Sequence, residues 1–413
     1  MMPNMKKIRQ SFSRRKVDDV NKAVSREIEA SGIQWQRNAR IAVAVGSRGI
    51  ADILSIVKSV VREVEARGAS PFVIPAMGSH GGATPEGQRR VLAAYGITEK
   101  TLGVSIRSSM EVVELPRGDA PCRIYADRTA WEADGIIIIN RIKSHTDFYG
   151  TYESGLVKMC VVGLGKHRQA LEIHGYGTRG LREYVPACAR EVLTHRKIVL
   201  GIGIVENAYH ETALIKAIKP EKIFDEERHL LELSQEMSGK LPVKLIDILV
   251  VDEFGKDISG TGLDTKVIGR LRIENEAEPL WPRIKQILLC DLTDESHGNA
   301  LGIGLADVVT RKVQSKIDLQ ATNENVVTST FIERGRIPIV AENAQKGFEY
   351  ALRFCRASDP ACLRVVRIKN TLRLDELYVS EPILRELRGN PCVEQTQEAS
   401  LSLFDETGEL SPF

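Results

Sequence analysis

Residues 140–175 read NRIKSHTDFYGTYESGLVKMCVVGLGKHRQALEIHG and hold three histidines, three lysines and five glycines. Histidine carries protons near neutral pH and ligates metals, and lysine can serve as a nucleophile. Lys158 stands at the head of an apolar run, KMCVV. A lysine so placed either lays its stem on apolar surface with the amine in water, or is held where its amine loses its proton and becomes nucleophilic. His174 closes a short helical pattern, KHRQALEIH, with Gly175 as its stop. A helix end is a firm mount for a metal ligand, and its dipole alone also favours a histidine there. The G-L-G-K at 163–166 lacks the G-x-x-x-x-G-K-[ST] spacing of a phosphate loop.

Three predicted strands position the remaining candidates. The run RIAVAV (40–45) ends in Gly46-Ser47-Arg48, PFVIPAM (71–77) in Gly78-Ser79-His80, and ADGIIIIN (133–140) in Arg141, followed by Lys143-Ser144-His145. Ligands of open parallel sheets bind beyond the carboxyl ends of strands. If these strands lie parallel and near one another, Arg48, His80 and His145 share one edge. An arginine grips a carboxylate through two hydrogen bonds, and a histidine serves as acid or base. That set suits an anionic substrate and proton transfer. His210 follows another strand, 196–207, and is a weaker candidate for the same pocket. His195 and His229 read as solvated and His297 as surface or capping, while His167 stays open.

A chain of 413 residues exceeds one ordinary core. Strand and helix patterns alternate along it, which predicts two α/β domains with mostly parallel sheets and an active site in the cleft between them. The boundary falls near 240, giving domains 1–240 and 241–395 and a tail, 396–413, that reads as frayed or superficial. In the second domain 245–255 and 283–292 read as strands and 298–314 as a helix. Helix 84–96 starts with Thr84 as cap and Pro85 at its first position.

The 57 basic and 55 acidic residues nearly cancel, and only 5% of residues are aromatic, so a nucleic-acid partner is not expected. No apolar run approaches the roughly 18 residues that span a bilayer. The basic start, MMPNMKKIRQSFSRRK, reads as a solvated arm rather than a signal peptide. Seven scattered cysteines without a C-x-x-C pair suggest reduced thiols in a cytoplasm. Homo-oligomerisation stays open.

Taken in order, these residues resemble the lactate racemase family, whose founding enzyme uses a nickel-pincer nucleotide. In that family a lysine holds the nucleotide as a thioamide, and a histidine sixteen residues later completes the nickel coordination. Lys158 and His174 are separated by that interval. Ser47-Arg48 resembles the family's turn after the first strand, His80 its histidine after the second, and His145 the histidine before the lysine. In the second domain DEFGKDISGTGLDTKVIGR (252–270) occupies the place of a substrate-holding lysine, Lys256 or Lys266. S-G-L-V-K stands where the family has G-G-x-K, and GSHGGATPEG where it has T-H-R-P, so the chain resembles a divergent branch.

The resemblance implies a racemase or epimerase of a 2-hydroxy acid, acting by hydride removal and return through a nickel-pincer nucleotide covalently attached to Lys158. His80 and His145 would be the two acid/base groups, one per substrate face. His174 would ligate the nickel, Ser47 and Gly155 would contact the cofactor, and Arg48 with Lys256 or Lys266 would hold the substrate carboxylate. Two other readings stand beside it: a zinc or iron hydrolase or lyase using His80, His145 and His174 directly, and a non-catalytic binding protein of the same fold.

Overall fold

A computed structural model describes residues 3–47, 49–356, 360–396 and 402–413, so Arg48 lies outside the described residues. The chain divides into two compact units, Ser13–Ser238 and the combination of Met1–Phe12 with Gly239–Phe413. Both are α/β, with large, mostly parallel sheets.

The first unit is built on five strands in the order Ser70–Pro75, Arg40–Val45, Gly135–Arg141, Ile198–Glu206 and Thr212–Ile218. The first four run parallel and the last is antiparallel. A central parallel strand is covered on both faces, which the unbroken isoleucine run satisfies. Ile136 and Ile138 enter one core layer, and Ile137 and Ile139 the other. Helix Ile53–Ala66 packs Ile56, Val57, Val60 and Val64 into the second layer, and helix Val185–Thr194 packs Cys188, Ala189 and Val192 into the first. Val45 is in register with both Pro75 and Ile139. The segments that follow these three residues therefore leave the sheet at one edge.

The second unit has eight strands in the order Ile339–Ala341, Val308–Thr310, Arg283–Leu289, Leu245–Val251, Val365–Ile368, Glu376–Ser380, Met5–Gln10 and Val393–Gln395. The first five are parallel and the rest antiparallel. Three expectations are corrected here. The basic start is a strand of this sheet, not an arm, so a single cut near 240 misplaces it. Met5 and Ile8 are fully buried in opposite core layers, and Lys7 and Arg9 reach Glu376 at 3.1 and 2.7 Å. The 298–314 segment is no continuous helix. Gly302 takes a left-handed conformation, and the β-branched run Val308-Val309-Thr310 fills a wholly buried strand. The tail is anchored by aromatic rings, Phe404 on Phe348 at 5.7 Å and Phe413 on Tyr378 at 5.2 Å.

Among the described residues Cys122, Cys160, Cys188, Cys290, Cys355 and Cys392 are in no disulfide. No helix among the described residues is long and apolar enough to cross a membrane.

Candidate active site

After the strand Gly135–Arg141 the chain makes an excursion that returns on itself, Lys143 and Ser154 exchanging backbone hydrogen bonds of 2.8 and 3.1 Å. Its inner prop is Glu153, 3% exposed, whose carboxylate accepts the amides of His145 at 2.6 Å and Gly150 at 3.2 Å. The imidazole of His145 rests on Phe148, ring centroids 4.9 Å apart. The Asp147 amide donates to its Nδ1 at 3.1 Å, and its Nε2 lies 2.6 Å from Lys158 Nζ.

The Nε2–Nζ contact joins an imidazole to an amine, and which of the two donates follows the tautomer of the ring. An Nε2–H would donate to an unprotonated amine, and a bare Nε2 would accept from an ammonium. Asp147 Oδ2 stands 3.6 Å from Nδ1. An unprotonated amine is the form that bonds to carbonyl carbon.

Lys158 ends the short helical turn Leu156–Lys158, which widens into a π-helical segment, Met159–Gly163, and continues as helix Lys166–His174. Such wide turns recur at functional sites. Gly155 opens the turn. A Cβ there would stand 2.5 Å from the carboxyl carbon of Glu227, which reaches in from helix Ile223–Met237. On the side its Cβ would take, the bare glycine accommodates the Glu227 carboxyl. Glu227 is 1% exposed, and its Oε2 accepts the Val157 amide at 2.8 Å.

Burial pushes the Glu227 carboxyl up to about 7, against the opposing pull of the Val157 and Leu156 amides. A carboxyl harder to ionise in the folded than in the unfolded chain contributes stability that is complete below its ordinary value of 4.5 and is lost as pH rises through about 7. The loss is about 3 kcal/mol. Thermal melts should therefore show Glu227→Gln gaining on the wild type by several degrees between about pH 5 and pH 8. A gap that does not change with pH would contradict this assignment.

The second strand leads to a matching arrangement. Ser47 Oγ is hydrogen-bonded to His80 Nδ1. The His80 turn is held from below by Gln88, of helix Pro85–Ala94, whose amide donates to the carbonyls of Gly78 at 2.8 Å and His80 at 3.3 Å. Gln88 Oε1 accepts from Lys166 Nζ at 3.3 Å. Lys166 also reaches the Pro75 carbonyl, and it meets Asp127 Oδ2 at 3.0 Å as an ion pair in which both side chains are fully buried. The last residue of G-L-G-K is thus an internal cation. Burial lowers its pKa, with Asp127 opposing. Arg141 is half-buried and bonded to Glu206, which accepts the Ala51 amide at 2.8 Å.

Lys158 is thus brought against His145, and Ser47 against His80. His174 is half-buried at the last position of its helix. Lys256, in the second unit, donates to the Gly260 carbonyl at 2.6 Å and Asn325 Oδ1 at 2.8 Å, and the Lys266 amide is capped by Asp264 at 2.9 Å. His210 is exposed in a left-handed turn, and His229 and His297 are exposed. His195 packs on Trp131 at 5.4 Å, and His167 has a buried Nδ1. Among the described residues no group of three or more His, Cys, Asp or Glu side chains is placed to hold a metal ion. Sequence reasoning missed Glu153, Glu227, Gln88 and Asp127.

The arrangement defines an α/β protein with an amine–imidazole pair and a hydroxyl–imidazole pair on segments leaving one edge of a parallel sheet. No family model matches the chain, and no curated protein does. Among solved structures it is similar to the lactate racemase apoprotein from Thermoanaerobacterium thermosaccharolyticum, with a TM-score of 0.53 over 89% of this chain and 98% of that one, at 11% identity. A protein from Thermotoga maritima aligns over 88% of this chain and 99% of its own, at 13% identity and a TM-score of 0.49. The chain has the fold of the first.

Proposed function

We propose that the protein is a racemase or epimerase of a 2-hydroxy acid that works with a nickel-pincer nucleotide attached to Lys158. The observation that carries this reading is the 2.6 Å contact between Lys158 Nζ and His145 Nε2. On this reading the imidazole takes up the amine's proton and leaves the form that acylation needs.

The donor set fits such a group. The nucleotide brings soft sulfur donors of its own, so the chain needs to contribute one amine for attachment and one imidazole for the metal. Lys158 and His174 are of those types. When bound, the group supplies the hydride acceptor and donor that no side chain provides. The chain's own residues do the rest. Acylation takes Lys158 out of proton exchange and leaves His145 Nε2 to a substrate hydroxyl. His80, its Nδ1 held by Ser47, offers its Nε2 as the second acid/base group. Arg48 holds the substrate carboxylate, so that the planar 2-keto acid is retained while it turns. Direct metal ligation by His80, His145 and His174 has no three-residue cluster among the described residues to rest on.

The test is production of the full chain together with the cofactor-synthesising enzymes. Peptide mass spectrometry should find an adduct on Lys158, metal analysis should find nickel, and chiral chromatography should show inversion of at least one member of a 2-hydroxy acid panel. Inversion by protein that carries neither adduct nor nickel would overturn the proposal.

A further inference from the structure

We infer that Glu227 is a positioning residue for Lys158, its buried carboxyl fixing the turn from which the amine reaches His145. The inference rests on Lys158 being the working amine, as in the reading above, and not on what that amine carries.

Leu156 and Val157 are fully buried, so the first amides of their turn have no water to bond with. Glu227 Oε2 takes the Val157 amide at 2.8 Å, one residue before Lys158. On the other side Asn140, at the end of the central strand, donates its side-chain amide to the Gly155 carbonyl at 3.0 Å. The backbone leading into Lys158 is therefore held between a strand end and a helix. Gly155 completes the clamp, because any side chain there would displace the carboxyl.

The chemical type of residue 227 is the second part of the case. Its Oε1 is buried and has no hydrogen-bond partner among the described residues. An unsatisfied buried oxygen destabilises a fold. A methionine of similar volume would fill the same space without that cost. The carboxyl is thus poorly explained as packing and well explained as an acceptor aimed at the Lys158 turn.

Three variants of the full chain test this: Glu227→Gln, Glu227→Asp and Glu227→Met. Each is treated with an N-hydroxysuccinimide acetate reagent. The acetylation rate of Lys158 is read by peptide mass spectrometry against that of Lys22, whose side chain is 88% exposed. The wild type should acetylate Lys158 faster than Lys22. Met, which lacks the acceptor, and Asp, which withdraws it by one methylene, should slow Lys158 about tenfold without altering Lys22. The conservative Gln, which keeps an oxygen at the Val157 amide, should restore the wild-type rate. Wild-type Lys158 rates in Met would overturn the inference and leave the functional reading intact. If Met does not fold, Asp decides in the same way. A wild-type Lys158 that labels no faster than Lys22 would remove both.

Discussion

Replacing Lys158 by alanine is expected to abolish inversion of a 2-hydroxy acid, a fall of at least about a thousandfold in kcat/KM, and to remove the covalent adduct. Lys158→Arg should fail equally, because a guanidinium keeps its charge and does not acylate under these conditions. The next lysine along the chain cannot take over. Lys166, eight residues on, is wholly buried against Asp127. His145→Ala should behave differently. It removes the imidazole that takes up the amine's proton, so acylation of Lys158 slows, while protein that does become loaded keeps His80 for one substrate face. The expected result is low occupancy together with a bias in the two directions of interconversion. Adduct occupancy by mass spectrometry and rates from each enantiomer separate these effects. A His145→Ala protein with full occupancy and equal rates would show that the contact between the two side chains has no part in the chemistry.

The parts of this site that were legible in the sequence are those signalled by local pattern. The isoleucine run at 136–139 announces a strand covered on both faces, and polar residues just beyond such strands announce the edge where Ser47, His80 and His145 emerge. Thr84 and Pro85 mark a helix start, and the Thr84 hydroxyl does accept the Gly87 amide at 3.0 Å. What supports these residues was not legible, because the supporting groups are distant in sequence and polar. Glu227 lies in PEKIFDEERHLLELSQEM, where it is one acidic residue among several and reads as part of a solvated face. Only its burial at 1% exposure distinguishes it. The N-terminal strand was hidden for a related reason. Met5 and Ile8 are buried on opposite faces, so no period-two pattern marks the strand, and Lys7 and Arg9 find Glu376 only in a strand near the other end of the chain. Periodicity reports which face of an element is covered, and it carries no information on which remote carboxylate will cover it.

The buried pair of Lys166 and Asp127 is the second place where a single substitution should have a large effect. Asp127→Ala leaves an ammonium with no counter-charge in a site closed to water, and it also removes the carboxylate oxygen that caps the Ala130 amide at 2.9 Å. Breaking a buried pair in this way costs about 3–5 kcal/mol, which for a unit of this size lowers the melting temperature by about 10 °C. Lys166→Met should cost a similar amount through the abandoned carboxylate. Asp127→Asn with Lys166→Met removes both charges, keeps a polar group at the cap, and should recover most of the stability, since apolar replacement of a whole buried pair is often close to neutral. If stability were the pair's only use, the double variant would also recover function. Lys166 also holds Gln88, however, and Gln88 holds the carbonyls of Gly78 and His80. A stable double variant should therefore lose the acid/base contribution of His80 while keeping Lys158 acylation. It should fold, take up the cofactor, and invert its substrate slowly. Full inversion rates in that protein would mean that the His80 turn is held by its own glycines and that the internal cation serves the fold alone.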